Sequence, residues 1–186
     1  MASYDDELLE AAHGLLARRP GQRGKLPSAR IRRSISTSYY ALFHFLLEEV
    51  GARIVGTRND LRRRRRILSR TVTHRGIRTT LDKMRGALVD ASFEDFLRSP
   101  GIAAGPVAPP PFVRNLANTF ADAQEKRHDA NYDLNKPLSE LDARLLRERT
   151  HLVIARWRAA NTTADRDFKN ALSVLVFLKG QLRAEV

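Results

Sequence analysis

The chain has 186 residues, with 33 Lys and Arg against 21 Asp and Glu, a formal net charge of +12 and no cysteine. That length suits one domain with a real core, and the missing thiols exclude disulfides and thiolate metal sites. Arginine, whose planar fork matches phosphate, far outnumbers lysine, and nucleic acid is the commonest anionic partner of so basic a domain.

The N-terminal "MASYDDELLE" is acidic and has no apolar h-region, so no secretory signal is expected. The longest apolar stretches, "YYALFHFLL" and "ALSVLVFL", fall well short of the ~20 residues a membrane span needs. The expectation is a soluble, cytoplasmic protein with no membrane partner. Strand signals are scarce, and the chain reads as helices joined by punctuated turns. A short first helix is expected over about residues 3 to 18. A long second helix follows Pro27, with Ile35, Tyr39, Leu42, Leu46 and Val50 on one apolar face. Asn59 and Asp60 are expected to cap a third helix through "LRRRRRILSRTV". A further helical stretch, "IRTTLDKMRGAL", places Ile77, Leu81, Met84 and Leu88 on one face, with Gly76 a kink at its start.

"SPGIAAGPVAPPP" then interrupts the pattern, with Pro109 to Pro111 expected to run extended. We read residues 99–111 as an internal loop of a single domain, 1–186, because neither side makes a complete core. Three helices are expected beyond it, over about residues 112–131, 138–160 and 164–183. The fold class is all-α, an antiparallel bundle of about five to six helices.

One stretch carries unusual chemistry. "EKRHDANYDL" places Arg127, His128, Asp129, Tyr132 and Asp133 at the end of the helix that begins near residue 112. Val113, Leu116, Phe120, Ala123 and Arg127 share one stripe, with Arg127 about 20° from Phe120, where the next core residue belongs. Charges are rarely buried unless paired, so Arg127 is either a snorkelling cation or part of a site. Ala117, Ala121, Gln124 and His128 form a second face that suits a helix–helix or subunit contact. On the second helix Ser36, Tyr40 and His44 form a polar stripe at i, i+4 and i+8, flanked by Arg33 and Thr37. It is either a hydrogen-bonded structural network or the support of a site.

Arg62, Arg63, Arg64, Arg65 and Arg66 step right round a helix, and one solvated face cannot hold them all. As phosphate contacts they predict sequence-blind, salt-sensitive binding; as structural groups they would pair with the chain's own acids. There is no Gly-rich phosphate loop, dinucleotide fingerprint or metal-ligand spacing, so no cofactor and no metal is expected.

"RIRRSISTSYYALFHFLLEE", "SRTVTHRGIR", "EKRHDANYDL" and "ARWRAANTTADRDFKNALSVLVFLKG" together resemble a HEPN-domain protein (higher eukaryotes and prokaryotes nucleotide-binding). The similarity is to the small stand-alone bacterial members with an Arg-centred "ADYD"-type motif. It covers about residues 28 to 180 and is most specific in "ISTSYYALFH" and "RHDANYD". It implies a helical bundle, a homodimer or a pairing with a nucleotidyltransferase, and metal-independent RNA cleavage in toxin–antitoxin or antiviral defence. It makes Arg127, His128, Asp129 and Tyr132 the catalytic group, with Arg33, Ser36, Tyr40 and His44 in support. Active members carry the arginine, a polar residue and then a histidine, with four to six residues between the arginine and that histidine; Tyr132, Asp133 and Leu134 fill those positions here, and Asn131 replaces the first Asp of "ADYD". The expectation is therefore an RNA-associated protein, either a metal-independent endoribonuclease or a cleavage-inactive module that binds RNA or a partner protein.

Overall fold

A computed structural model describes residues 3–18, 21, 23–98 and 105–178. Among them are eight α-helices and no strand: α1 (Tyr4–Leu16), α2 (Ser28–Val55), α3 (Arg62–Ser69), α4 (His74–Asp82), α5 (Ala91–Leu97), α6 (Pro111–Tyr132), α7 (Glu140–Ala159) and α8 (Thr163–Leu178). A 3-10 turn, Asn59–Leu61, precedes α3. The fold class is an all-α helical bundle. Its helices group into two compact units, Met1–Phe45 with Thr119–Ala155 and Leu46–Asn118 with Arg156–Val186.

The first unit holds α1, the start of α2, the end of α6 and most of α7. Ile35, Tyr39 and Leu42 of the expected α2 face are buried, as are Leu9, Leu16 and Phe120. Three arginines are recruited to the α1 backbone here. Arg30 donates to the Gly14 and Ala17 carbonyls, and Arg144 to the Leu16 carbonyl, all at the end of α1. Arg147 donates to the Leu9 carbonyl within α1. The last carbonyls of a helix have no intrahelical partner and carry the negative end of its dipole, so a guanidinium there satisfies both. At the start of α7, Ser139 and Asp142 exchange bonds: the Asp142 N–H donates to Ser139 Oγ at 3.1 Å and the Ser139 N–H to Asp142 Oδ2 at 2.9 Å. This is a capping box, and it fixes where α7 begins.

The second unit is organised by a buried cation. Lys169 of α8 is 1% exposed and donates to the carbonyls of Trp157 and Ala160 at the end of α7. Its ammonium lies 5.3 Å from the Phe112 ring centroid and 5.2 Å from that of Trp157. Burial, and secondarily the charge of Arg53, holds this amine below the ordinary lysine value. The Trp157 indole donates to Glu49 at 2.8 Å, and Glu49 in turn accepts from Arg53.

Four local expectations change. Asn59 and Asp60 enter the 3-10 turn and make no side-chain cap for α3. The helix expected through Leu88 stops at Asp82; Met84 is buried in the turn that follows, while Leu88 is 51% exposed. Thr73 supplies the N-cap of α4 by accepting the Gly76 N–H at 3.0 Å, so Gly76 lies in a capped first turn rather than at a kink. Pro111, expected to run extended with Pro109 and Pro110, is instead the first residue of α6, where its missing N–H costs nothing. The segment 99–104 of the expected loop lies outside the described residues. An unforeseen short helix, α5, is capped by Asp90, which accepts from the Ser92 N–H at 3.0 Å. Hydrogen bonds from Ser92 and then Lys83 hold the Asp90 carboxyl down at about 2.

Candidate functional site

The end of α6 is built around an arginine from α2. The Arg32 guanidinium donates to five carbonyls, those of Asp129 (3.0 Å), Ala130 (3.3 Å), Asp133 (2.9 Å), Leu134 (3.2 Å) and Lys136 (2.7 Å). One planar fork therefore caps the C-terminus of α6 and the turn that leaves it. Asp133 closes that turn by accepting the N–H groups of Asn135 and Lys136 at 3.0 and 3.1 Å, the local bond that suits Asp to turns.

Two rungs of the α2 polar stripe meet the charged end of α6, and the third meets α1. Ser36 donates to Asn131 Oδ1 at 2.7 Å. Tyr40 accepts from Arg127 Nη2 at 2.9 Å. The His44 ring packs edge-on against Tyr4 of α1 at 5.0 Å. Around the Arg127 guanidinium stand three phenol rings, Tyr39 at 5.8 Å, Tyr40 at 5.6 Å and Tyr132 at 5.8 Å. These contacts favour the cation, and the Tyr40 hydroxyl, more than anything else, raises its pKa above that of ordinary arginine. The Arg127 Nε is buried with no hydrogen-bond partner among the described residues. A buried donor left unmatched costs about 1–3 kcal/mol.

Beside the guanidinium, His128 is exposed and its ring lies 5.1 Å from that of Tyr132, which is 66% exposed. Arg127, His128 and Tyr132 thus gather a fixed cation, an accessible imidazole and an accessible phenol within the last two turns of α6. The other expected members do different work. Asp129 faces Lys136 at 3.6 Å. Arg33 is exposed and lines a groove with Leu8 and Leu15 of α1. Ala117 and Ala121 are buried within the chain at 0% and 2% exposure, so the small-residue face is not available to a second subunit.

The sequence reading overlooked Arg32, and it took Tyr39 only as a core-face residue and Asn131 only as a departure from the motif. The signal for Arg32 was present: it stands four residues before Ser36 and extends the same stripe by one rung. It was hidden among neighbouring arginines.

In the second unit, Arg62, Arg63, Arg64 and Arg66 of α3 are exposed. Arg65 differs: it is half-buried and donates to the carbonyls of Gly56 (2.7 Å) and Arg58 (3.0 Å). Among the described residues no cluster of three His, Asp or Glu side chains is placed to hold a metal ion, and no helix is long and apolar enough to cross a membrane. No protein-family model, curated protein or solved structure matches the chain.

Proposed function

We propose that this chain is a HEPN-type RNA-associated protein in which Arg127, His128 and Tyr132 form a metal-independent endoribonuclease site of a toxin or antiviral defence system. The observation that carries this reading is the Arg127 guanidinium, anchored by Tyr40 and ringed by phenols, beside an exposed imidazole and phenol. RNA cleavage through the 2′-hydroxyl needs those three kinds of group. A base takes the 2′-hydroxyl proton as its oxygen attacks the adjacent phosphorus. The bond from phosphorus to the 5′-oxygen breaks, and an acid returns a proton to that oxygen. The products are a 2′,3′-cyclic phosphate and a free 5′-hydroxyl. Arg127 faces the charge that develops on phosphate. His128 and Tyr132 divide the proton transfers, His128 as base and Tyr132 as acid. The exposed arginines of α3 hold the RNA backbone without reading its sequence.

A specific observation favours a second reading, a cleavage-inactive module that binds RNA or a protein partner such as a nucleotidyltransferase. The group contains one imidazole, and Asp129, Asn131 and Asp133 are engaged in the structure of the α6 terminus. A cytoplasmic homodimer belongs to the first reading, because it would bring two such groups into one assembly. Incubation of total RNA with the protein, with and without EDTA, separates the two: EDTA-resistant cleavage supports the nuclease, and salt-sensitive binding without cleavage supports the module.

A further inference from the structure

The arginines of α3 are not equivalent around its axis. At 100° per residue, Arg63, Arg66, Ile67 and Arg70 fall within one arc of about 100°. Arg65 lies on the opposite side. Its guanidinium donates to the Gly56 and Arg58 carbonyls, and a side-chain carbon placed on Gly51 of α2 would stand 3.5 Å from Arg65 Cβ. Leu68, half-buried, shares that inner side. Arg65 therefore fixes the rotation of α3, and the Arg63, Arg66, Arg70 face points away from the fold. Arg70 is the C-cap and keeps helical backbone, so it continues the face by one more rung.

The cations of this face are uncommitted. Arg63, Arg66 and Arg70 are exposed, and their guanidinium groups make no hydrogen bond or ion pair among the described residues. Arg32, Arg78 and Arg144, by contrast, bind the chain's own carbonyls or carboxylates. Three like charges at three- and four-residue steps repel one another, and over the ~10 Å they span along the axis a polyanion is their natural counterpart.

Two features say which form of RNA fits. Ile67 is 56% exposed in the midst of these cations, where an aliphatic group can cover sugar carbons between neighbouring phosphates. No Phe, Tyr or Trp occurs from Leu46 to Ser92, so α3 and its flanking segments offer no ring on which unpaired bases could stack. Paired RNA keeps its bases stacked on each other and presents phosphates and riboses across a wide, shallow groove. Resting on the RNA-associated reading above, we propose that this face of α3 docks on the backbone of double-stranded RNA, with Arg63, Arg66 and Arg70 on phosphates and Ile67 on the riboses between them.

The test is fluorescence-anisotropy titration of the full chain, across a salt series, with an RNA duplex of about 16 base pairs and with each of its strands alone, the RNA being checked for length on a gel after each titration. The expected result is duplex binding at least ~10-fold tighter than that of either strand. The Arg63→Gln, Arg66→Gln, Arg70→Gln triple variant should flatten the duplex salt slope by roughly 2 to 3 units, at about 0.7 to 0.9 per phosphate contact. Ile67→Asp should weaken the duplex ~10-fold. Arg62→Gln with Arg64→Gln, at the edges of the face, should change the slope by less than ~1 unit. All these positions are exposed, and circular dichroism serves as the folding control. Single strands bound as tightly as the duplex, or a folded triple variant with an unchanged slope, would overturn the inference and leave the RNA-associated reading standing. No salt-sensitive binding of duplex or strand would overturn both.

Discussion

The Tyr40 hydroxyl of α2 accepts a 2.9 Å hydrogen bond from Arg127 Nη2 of α6. That bond gives a cation at a core-facing position its polar partner, and it fixes the direction in which the guanidinium points. Tyr40→Phe keeps the ring that lies 5.6 Å from Arg127 but removes the acceptor. We predict a loss of about 1–3 kcal/mol in urea denaturation. Because the guanidinium also loses its orientation, the single-turnover rate of RNA cleavage should fall ~10-fold with little change in KM. A stability loss with no change in rate would make Tyr40 a structural partner only.

Arg32 offers a sharper structural test. Its side chain serves five carbonyls, so Arg32→Met should cost about 2–4 kcal/mol, more than one charged hydrogen bond. The damage should be local: faster amide exchange over residues 129–136, with α8 unaffected. Uniform exchange throughout the chain would mean that Arg32 acts on the whole fold rather than on the α6 terminus.

These two residues also show how far the sequence could be read. The α2 face of Ile35, Tyr39 and Leu42 was legible because its three- and four-residue spacing is set by helix geometry, and those residues are buried. The polar stripe was legible as a stripe, but its partners were not: Ser36 meets Asn131 and Tyr40 meets Arg127, while His44 packs on Tyr4. What the sequence hid was which cations serve the fold. Arg30, Arg32, Arg65, Arg144 and Lys169 bind backbone carbonyls, while Arg62, Arg63, Arg64 and Arg66 are exposed. Composition treats these alike, and only tertiary contacts separate them. The ends of α4 were lost for a similar reason: the helical pattern continues to Leu88, but the backbone turns after Asp82.

The α3 arginines should divide accordingly. Replacing Arg62, Arg63, Arg64 and Arg66 by Gln should weaken binding to unrelated RNAs alike, and each lost phosphate contact should flatten the salt slope by about 0.7 to 0.9 units. Arg65→Gln should instead lower stability, because it leaves the Gly56 and Arg58 carbonyls without their donor. Filter binding across a salt series, paired with urea midpoints, checks both. An unchanged slope in the fourfold variant would remove RNA from the role of α3.

Lys169 predicts a pH dependence. Burial lowers its folded-state pKa below the unfolded value, so the unfolded chain binds the extra proton between the two values. Stability then rises with pH across that window, is fully present above the ordinary lysine pKa of ~10.4, and is lost as pH falls through the folded value. The stability of wild type minus that of Lys169→Met, measured by thermal melts on the alkaline side, should rise with pH. A flat difference would mean that the carbonyls of Trp157 and Ala160 fully offset the burial of the charge.

The most direct test of the central claim is cleavage of total RNA by wild type and by Arg127→Ala in the presence of EDTA, with circular dichroism as the folding control. The account predicts that wild type leaves 2′,3′-cyclic phosphate ends without a divalent metal, and that Arg127→Ala, still folded, is slower by ~100-fold or more. Cleavage that persists in the folded Arg127→Ala variant, or that EDTA abolishes in wild type, would contradict it.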